Sequence, residues 1–191
     1  MEKLEKKGPE NIVFKGNIFE INHQIMKSST KEIIFEKARR SPGVRLIIRK
    51  DNLFLLSREF RYETNEYEYR LPGGKVFDSL EEYHSVLKKN VTIESSAQKA
   101  AIKECLEEVG IEVKSLHLFR VSKAGSTIEW DLFYFIVEEF KESTQNLEEG
   151  EIILPEWKTI GEIKNLISQN QFKEDRSIGV LIQYLLKEKL L

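Results

Sequence analysis

The chain has 191 residues, 40% of them hydrophobic, which is enough for one well-buried domain with a small appendage. Its 32% charged residues nearly balance, and a net charge of -2 speaks against general affinity for nucleic acid or an anionic membrane. Cys105 is the only cysteine, which excludes an intrachain disulfide and a cysteine-built zinc site and fits a reducing compartment.

The opening residues, "MEKLEKKGPE", lack the apolar core of a signal peptide. No apolar run approaches the ~20 residues that span a bilayer. The expectation is a cytoplasmic protein without a membrane partner. Residues 12–40 alternate apolar and polar, punctuated at Gly16-Asn17 and Ser28-Ser29-Thr30, which predicts about three antiparallel strands. A sheet this small needs a second layer or a partner chain. Pro42-Gly43 marks a boundary, so residues 1–42 read as an N-terminal sheet region and 43–191 as the main domain.

"VRLIIRK" and "LFLLSREFR", joined by Asp51-Asn52, predict a hairpin. "EYEYRLPGGK" is a further strand ending on Leu71-Pro72-Gly73-Gly74. Residues 79–89 predict a helix opened by a Ser79–Glu82 capping box, with Leu80, Tyr83, Val86 and Leu87 on one face. A second helix is predicted from Ser95, capped with Gln98, to Gly110. Strands over 111–121 and 130–140, a polar loop over 141–152, and helices over 159–169 and 177–190 complete the chain. Strands mixed with a few helices predict an α+β or layered α/β/α domain.

The second helix gathers charge. Ala101, Ile102, Cys105, Leu106 and Val109 are expected on its core face. Glu104 and Glu108 project together from another side, with Glu107 one step round and Ala97 and Ala100 leaving room beside them. Like charges at i, i+4 destabilise a helix by a few tenths of a kcal/mol. A divalent cation on these oxygens reverses that sign, and Mg²⁺ or Mn²⁺ suits carboxylates shared with phosphates.

"KECLEEVGI", residues 103–111, resembles the second half of the Nudix box, which runs Gly, five residues, Glu, seven residues, then Arg-Glu-apolar-x-Glu-Glu-x-Gly-apolar. "LPGGK" resembles the family's strand-to-loop opening, with Gly74 at the box glycine. "SREFRYE", "SKAGSTIEWDLFYF", "NLEEGEIILPEWKTIGEIKNLI" and the N-terminal sheet are similar to the ADP-ribose pyrophosphatase branch. Two departures stand out. Twenty residues separate Gly74 from Ser95, so about fifteen are inserted, within about 76–94. The first box Glu is replaced by Ser95, with Glu94 one place off, and the box Arg by Lys103. In the family that Glu and Arg often pair to brace the loop. A bidentate Arg–carboxylate fork is not copied by Lys, so the two changes read as one event, with the inserted helix as the brace instead.

The resemblance implies an α/β/α Nudix fold and hydrolysis of the pyrophosphate bond of a nucleoside diphosphate sugar. The foremost case is ADP-ribose, giving AMP and ribose 5-phosphate. The alternatives are a GDP-mannose or UDP-sugar pyrophosphatase, or a non-catalytic nucleotide-binding module. It implies Mg²⁺ or Mn²⁺ on Glu104, Glu108, Glu107 and the Gly73 carbonyl. It implies a general base among Glu148, Glu149 and Glu151, with Glu149 favoured. Arg61, Arg58 and Glu129 are the implied substrate contacts, and a homodimer through the N-terminal strands is the implied assembly.

Overall fold

A computed structural model describes residues 3–89 and 91–191. Met1, Glu2 and Asn90, the last inside the predicted insertion, lie outside the described residues. The N-terminal segment forms β1 (Glu5–Lys6), β2 (Asn11–Lys15), β3 (Phe19–Lys27) and β4 (Glu32–Arg40). The turns fall at Gly16-Asn17 and Ser28–Thr30, as the punctuation predicts. β3 pairs antiparallel with β1, β2 and β4, in unbroken register from Phe19 opposite Arg40 to Lys27 opposite Glu32.

This sheet buries its polar side. Glu20, Asn22 and Gln24 of β3 are almost fully covered, while Ile12, Phe14 and Ile34 are exposed. Phe14 lies opposite Ile21, and Ile34 opposite Ile25, so the apolar side chains share one uncovered face. A short strand from the main domain, β9 (Ile128–Glu129), joins the sheet parallel to β4.

The main sheet runs β11 (Ile153–Thr159), β6 (Leu53–Arg61), β5 (Gly43–Lys50), β10 (Leu132–Glu142), β8 (Ile111–Ser122), with β7 (Glu66–Arg70) also on β6. Asp51, at φ 57, turns the β5–β6 hairpin. β5 and β10 pair in parallel in the middle, where strands are apolar on both faces. Val44, Leu46 and Ile48 meet α2 (Ile93–Val109) through Ala97, Ala101, Cys105 and Val109. Ile47 faces the opposite layer, where α3 (Ile160–Ser168) and α4 (Asp175–Lys187) pack Ile163, Val180 and Leu181. The result is the expected α/β/α sandwich.

Three local expectations need correction. α2 starts at Ile93 behind Thr92, so the Ser95–Gln98 box does not form, and the Ser95 N–H bonds the Thr92 carbonyl at 3.2 Å. On the same helix Ile102 and Leu106 are exposed rather than core, because the stripe that meets the sheet is the small-residue line Ala97, Ala101, Cys105, Val109. Ala97 therefore belongs to the core and not to the acidic face. In α1 (Leu80–Lys88) Ser79 caps the Glu82 N–H, but the Glu82 carboxylate accepts from Asp78, one residue before its expected partner.

The insertion is anchored on the N-terminal side. The Ser41 hydroxyl accepts the Phe77 N–H at 3.2 Å and donates to the Phe77 carbonyl at 3.0 Å. His84 of α1 lies 3.1 Å from the buried Glu20 carboxylate, which Arg39 also meets at 3.1 Å. Lys15 pairs with Glu81.

Candidate active site

After β7 the chain turns down beside β5. The Pro72 carbonyl accepts the Leu46 N–H at 2.9 Å and the Gly74 carbonyl accepts the Val44 N–H at 3.0 Å. Gly73 between them has φ +136, and a Cβ there would lie 2.3 Å from the Val44 carbonyl oxygen, so glycine is required. Its N–H donates to Glu108 at 2.8 Å. At Gly74 a Cβ would lie 2.4 Å from the Glu104 carboxylate carbon, so the absent side chain makes the cradle for that carboxylate.

Glu104 and Glu108 sit on the flank of the Ala–Cys stripe, and the close packing of that stripe draws them inward. Glu108 is only 9% exposed. Burial raises its carboxyl to about 8, and neither the Gly73 N–H nor the nearby Arg45 reverses this. Burial raises Glu104 to about 7; Lys103 opposes the rise, while Glu107, Glu151 and Glu148 add to it. Glu107 is paired with Lys103 at 2.9 Å, and Lys103 also reaches Glu148 at 3.8 Å. Lys103 therefore does not bond Glu94.

These groups form one wall of a cleft of about 390 Å³. Arginines from four strands form the other: Arg40 at the end of β4, Arg45 of β5, Arg61 of β6 and Arg70 of β7. Most are already neutralised. Arg61 and Arg70 hold Glu59 at 2.6 and 3.0 Å, and Arg45 is bound by Glu174. Arg40 has no carboxylate partner among the described residues. Its guanidinium lies 4.4 Å from the centre of the Trp130 ring, and its Nε is buried without a hydrogen bond.

The cleft gathers Gly73, Glu104, Glu107, Glu108, Arg61, Glu148 and Glu151 of the expected set. It does not gather the other three. Glu148, Glu149 and Glu151 are all exposed around the turn at Gly150, but only Glu148 and Glu151 line the cleft. Arg58 alternates to the other side of β6, stacked on Tyr67 and 3.6 Å from Glu156. Glu129 is bound by Lys37 at 2.7 Å and Arg39 at 2.6 Å inside the N-terminal sheet. The sequence reading missed Arg40, Arg45, Arg70 and Glu59. The signal for Arg45 was available: a charge in the centre of an otherwise apolar strand, "GVRLII", needs a buried partner.

The donors fit a hard cation: carboxylate oxygens, those of Glu108 buried and those of Glu104 half-buried beside a side-chain-free loop, and no sulfur or imidazole. Among the described residues no three acidic, histidine or cysteine side chains are grouped so as to hold a metal ion. The Gly73 carbonyl has one lone pair already engaged by Arg45 at 2.8 Å and one free.

A sandwich with a glycine loop set against helix glutamates is the architecture of Nudix proteins. The NUDIX domain model matches residues 39–177, most of the chain, so the chain belongs to the Nudix family of hydrolases. A solved structure described as the crystal structure of an ADP compounds hydrolase matches with a TM-score of 0.72 at 18% identity, covering 99% of this chain and 97% of that one. At that identity the likeness establishes the fold. A comparison with curated proteins finds no significant match. No helix among the described residues is long and apolar enough to cross a membrane.

Proposed function

We propose that this chain hydrolyses the pyrophosphate bond of a nucleoside diphosphate sugar, with ADP-ribose, cleaved to AMP and ribose 5-phosphate, as the foremost substrate. One observation carries the reading. The cleft opposes the buried Glu108 and the half-buried, mutually repelling Glu104 to a wall of arginines, and a divalent cation with a pyrophosphate between them would satisfy both sides. The ADP-compound hydrolysis ascribed to the structural neighbour agrees with the choice of nucleotide. GDP-mannose and UDP-sugars remain the alternative substrates, because base choice rests on contacts outside this cleft wall.

Glu104 and Glu108 would hold Mg²⁺ or Mn²⁺, with Glu107 and the free lone pair of Gly73 as further oxygens. When bound, the cation neutralises phosphate charge and lowers the pKa of nearby water. The chain's own residues do the rest. Arg40, Arg61 and Arg70 orient the phosphates, Arg40 with its full charge available. Glu148 or Glu151, rather than Glu149, would take the proton of the attacking water, a reading supported by their position in the cleft lining. Lys103 lies between Glu107 and Glu148 and holds the acidic loop near the helix.

The exposed apolar face of the N-terminal sheet supports a homodimer formed through residues 1–42 and a Nudix domain over 43–191. Phe14, Ile34 and Ile128 form an uncovered face that a second copy would bury. A reading as a non-catalytic binding module has one observation in its favour, the absent first box Glu at Ser95.

The test is hydrolysis of ADP-ribose, GDP-mannose, UDP-glucose and a diadenosine polyphosphate with Mg²⁺, Mn²⁺ or EDTA. Metal-dependent AMP release from ADP-ribose supports the reading. Activity on another sugar nucleotide moves the substrate. Tight binding without turnover leaves the binding module.

A further inference from the structure

The box positions that would brace the glycine loop are unable to do so. Ser95 and Lys103 lie on the same helix, eight residues and ~12 Å of axial rise apart. The inserted helix does not replace them, because its anchors are Ser41, Glu20 and Lys15, on the N-terminal side. Yet the loop is Gly-Gly, the backbone with the greatest freedom to lose, and the Glu108 carboxylate depends on it for a hydrogen bond.

A bidentate fork does exist, below the loop. Arg45 Nε and Nη2 each meet the Glu174 carboxylate at 2.9 Å. The remaining nitrogen, Nη1, donates to the Gly73 carbonyl at 2.8 Å and to the Val44 carbonyl at 2.9 Å. Glu174 in turn sits at the N-cap of α4 and accepts from Ser177, whose hydroxyl lies 3.1 Å from that of Tyr134. Arg45 is 4% exposed, so these bonds are shielded from competing water. The backbone of Gly73 is thus held on both sides, its carbonyl by Arg45 and its N–H by Glu108.

We infer that Arg45, gripped by Glu174, is a positioning residue for the carboxylate site: by holding the Gly73 carbonyl it fixes the backbone of that residue, so that the Gly73 N–H on the other side of its Cα meets Glu108, the bracing role that positions 95 and 103 do not fill. The inference rests on the metal-site reading above and moves the brace from the insertion to the start of the C-terminal helix. It also explains why arginine stands in the central strand. The task needs a planar donor set that serves a carboxylate and two carbonyls at fixed angles, which lysine does not offer.

Two variants of the full chain test this, Glu174→Gln and the double Arg45→Met with Glu174→Leu. The double variant removes both charges together, a change that folded proteins commonly tolerate where a single removal is not tolerated. Circular dichroism checks the fold. Mn²⁺ affinity is read by the electron paramagnetic resonance of the free ion, and exchange of the Gly73 amide by NMR. The expected result is a 10–100-fold weaker Mn²⁺ affinity and at least tenfold faster Gly73 exchange in folded variants. Unchanged Mn²⁺ affinity and unchanged Gly73 exchange in either folded variant would overturn the inference. If the double variant does not fold, Glu174→Gln, which keeps the side-chain volume, decides alone. If the unaltered chain binds no Mn²⁺, the metal reading fails, and the Gly73 exchange still decides whether Arg45 holds the loop.

Discussion

Replacing Gly74 with alanine separates catalysis from folding. The added Cβ would lie 2.4 Å from Cδ and Oε1 of Glu104 and 2.5 Å from Oε2. Ordinary carbon contacts begin near ~3.5 Å, so the carboxylate must withdraw by about 1 Å. It is the free end of a flexible side chain, and Gly74 has no left-handed backbone to strain. The melting temperature should therefore fall by no more than about 4 °C, the shift that ~1 kcal/mol produces in a domain of this size. A displacement of about 1 Å in a reacting constellation costs ~10²-fold in rate, or about 2.7 kcal/mol of transition-state stabilisation. The assay is chromatographic AMP release from ADP-ribose, beside a thermal melt. Gly73→Ala is the counterpart: its Cβ meets the Val44 backbone at 2.3 Å, at φ +136, so it should cost stability first, with strain of ~1–3 kcal/mol or more. Full activity in Gly74→Ala, or a collapsed melt, would refute the assignment of Gly74 as the cradle of Glu104.

Glu104→Gln and Glu108→Gln should each lower metal-dependent turnover by ~10³-fold or more, whereas Glu107→Gln, already paired with Lys103, should cost less; steady-state kinetics at saturating Mg²⁺ measures both. Burial lifts Glu108 to about 8 and Glu104 to about 7, above their unfolded values. The metal-free fold therefore loses stability as pH rises from about 4.5 toward 8. Bound Mn²⁺ should raise the melting temperature more at pH 8.5 than at pH 6, and an equal rise at both would count against the buried carboxylates as the ligands. The unaltered chain should run as a dimer by light scattering, and Phe14→Glu with Ile34→Glu on the exposed sheet face should yield a monomer; a monomeric unaltered chain would remove the assembly. Deleting residues 79–91 should alter which sugar nucleotides are cleaved, since Asp78 and Lys75 at the root of the insertion line the cleft; an unchanged profile would remove the insertion from specificity.

Periodicity made most of the fold legible. The alternation in 12–40 and the long apolar runs in 44–56 and 132–137 correspond to strands, and Gly110 stops its helix in the left-handed region at φ 63. The two-residue strands β1 and β9 were not legible, because each owes its existence to a neighbour, β3 or β4, and not to its own pattern. On α2 the pattern misled. Ile102 and Leu106 look like core by type, but the close packing of Ala97 and Ala101 on β5 sets the helix rotation and turns Glu108 inward. The box glutamates were found from their spacing. Of the arginine wall only Arg61 was found, through the resemblance; Arg40, Arg45 and Arg70 come from three other strands whose meeting with β6 is a tertiary fact.

The Arg45–Glu174 fork has a consequence for synthesis. Its two residues are 129 positions apart. At ~5–20 residues per second, a ribosome leaves Arg45 without its carboxylate for roughly 6–26 s. Arg45 sits in the middle strand, and that strand does not bury an unpaired guanidinium cheaply. Stable docking of β5 therefore waits for the last helix to emerge. A nascent chain halted before α4 is therefore expected to lack the partner of Arg45 and to leave the Gly73 carbonyl unheld.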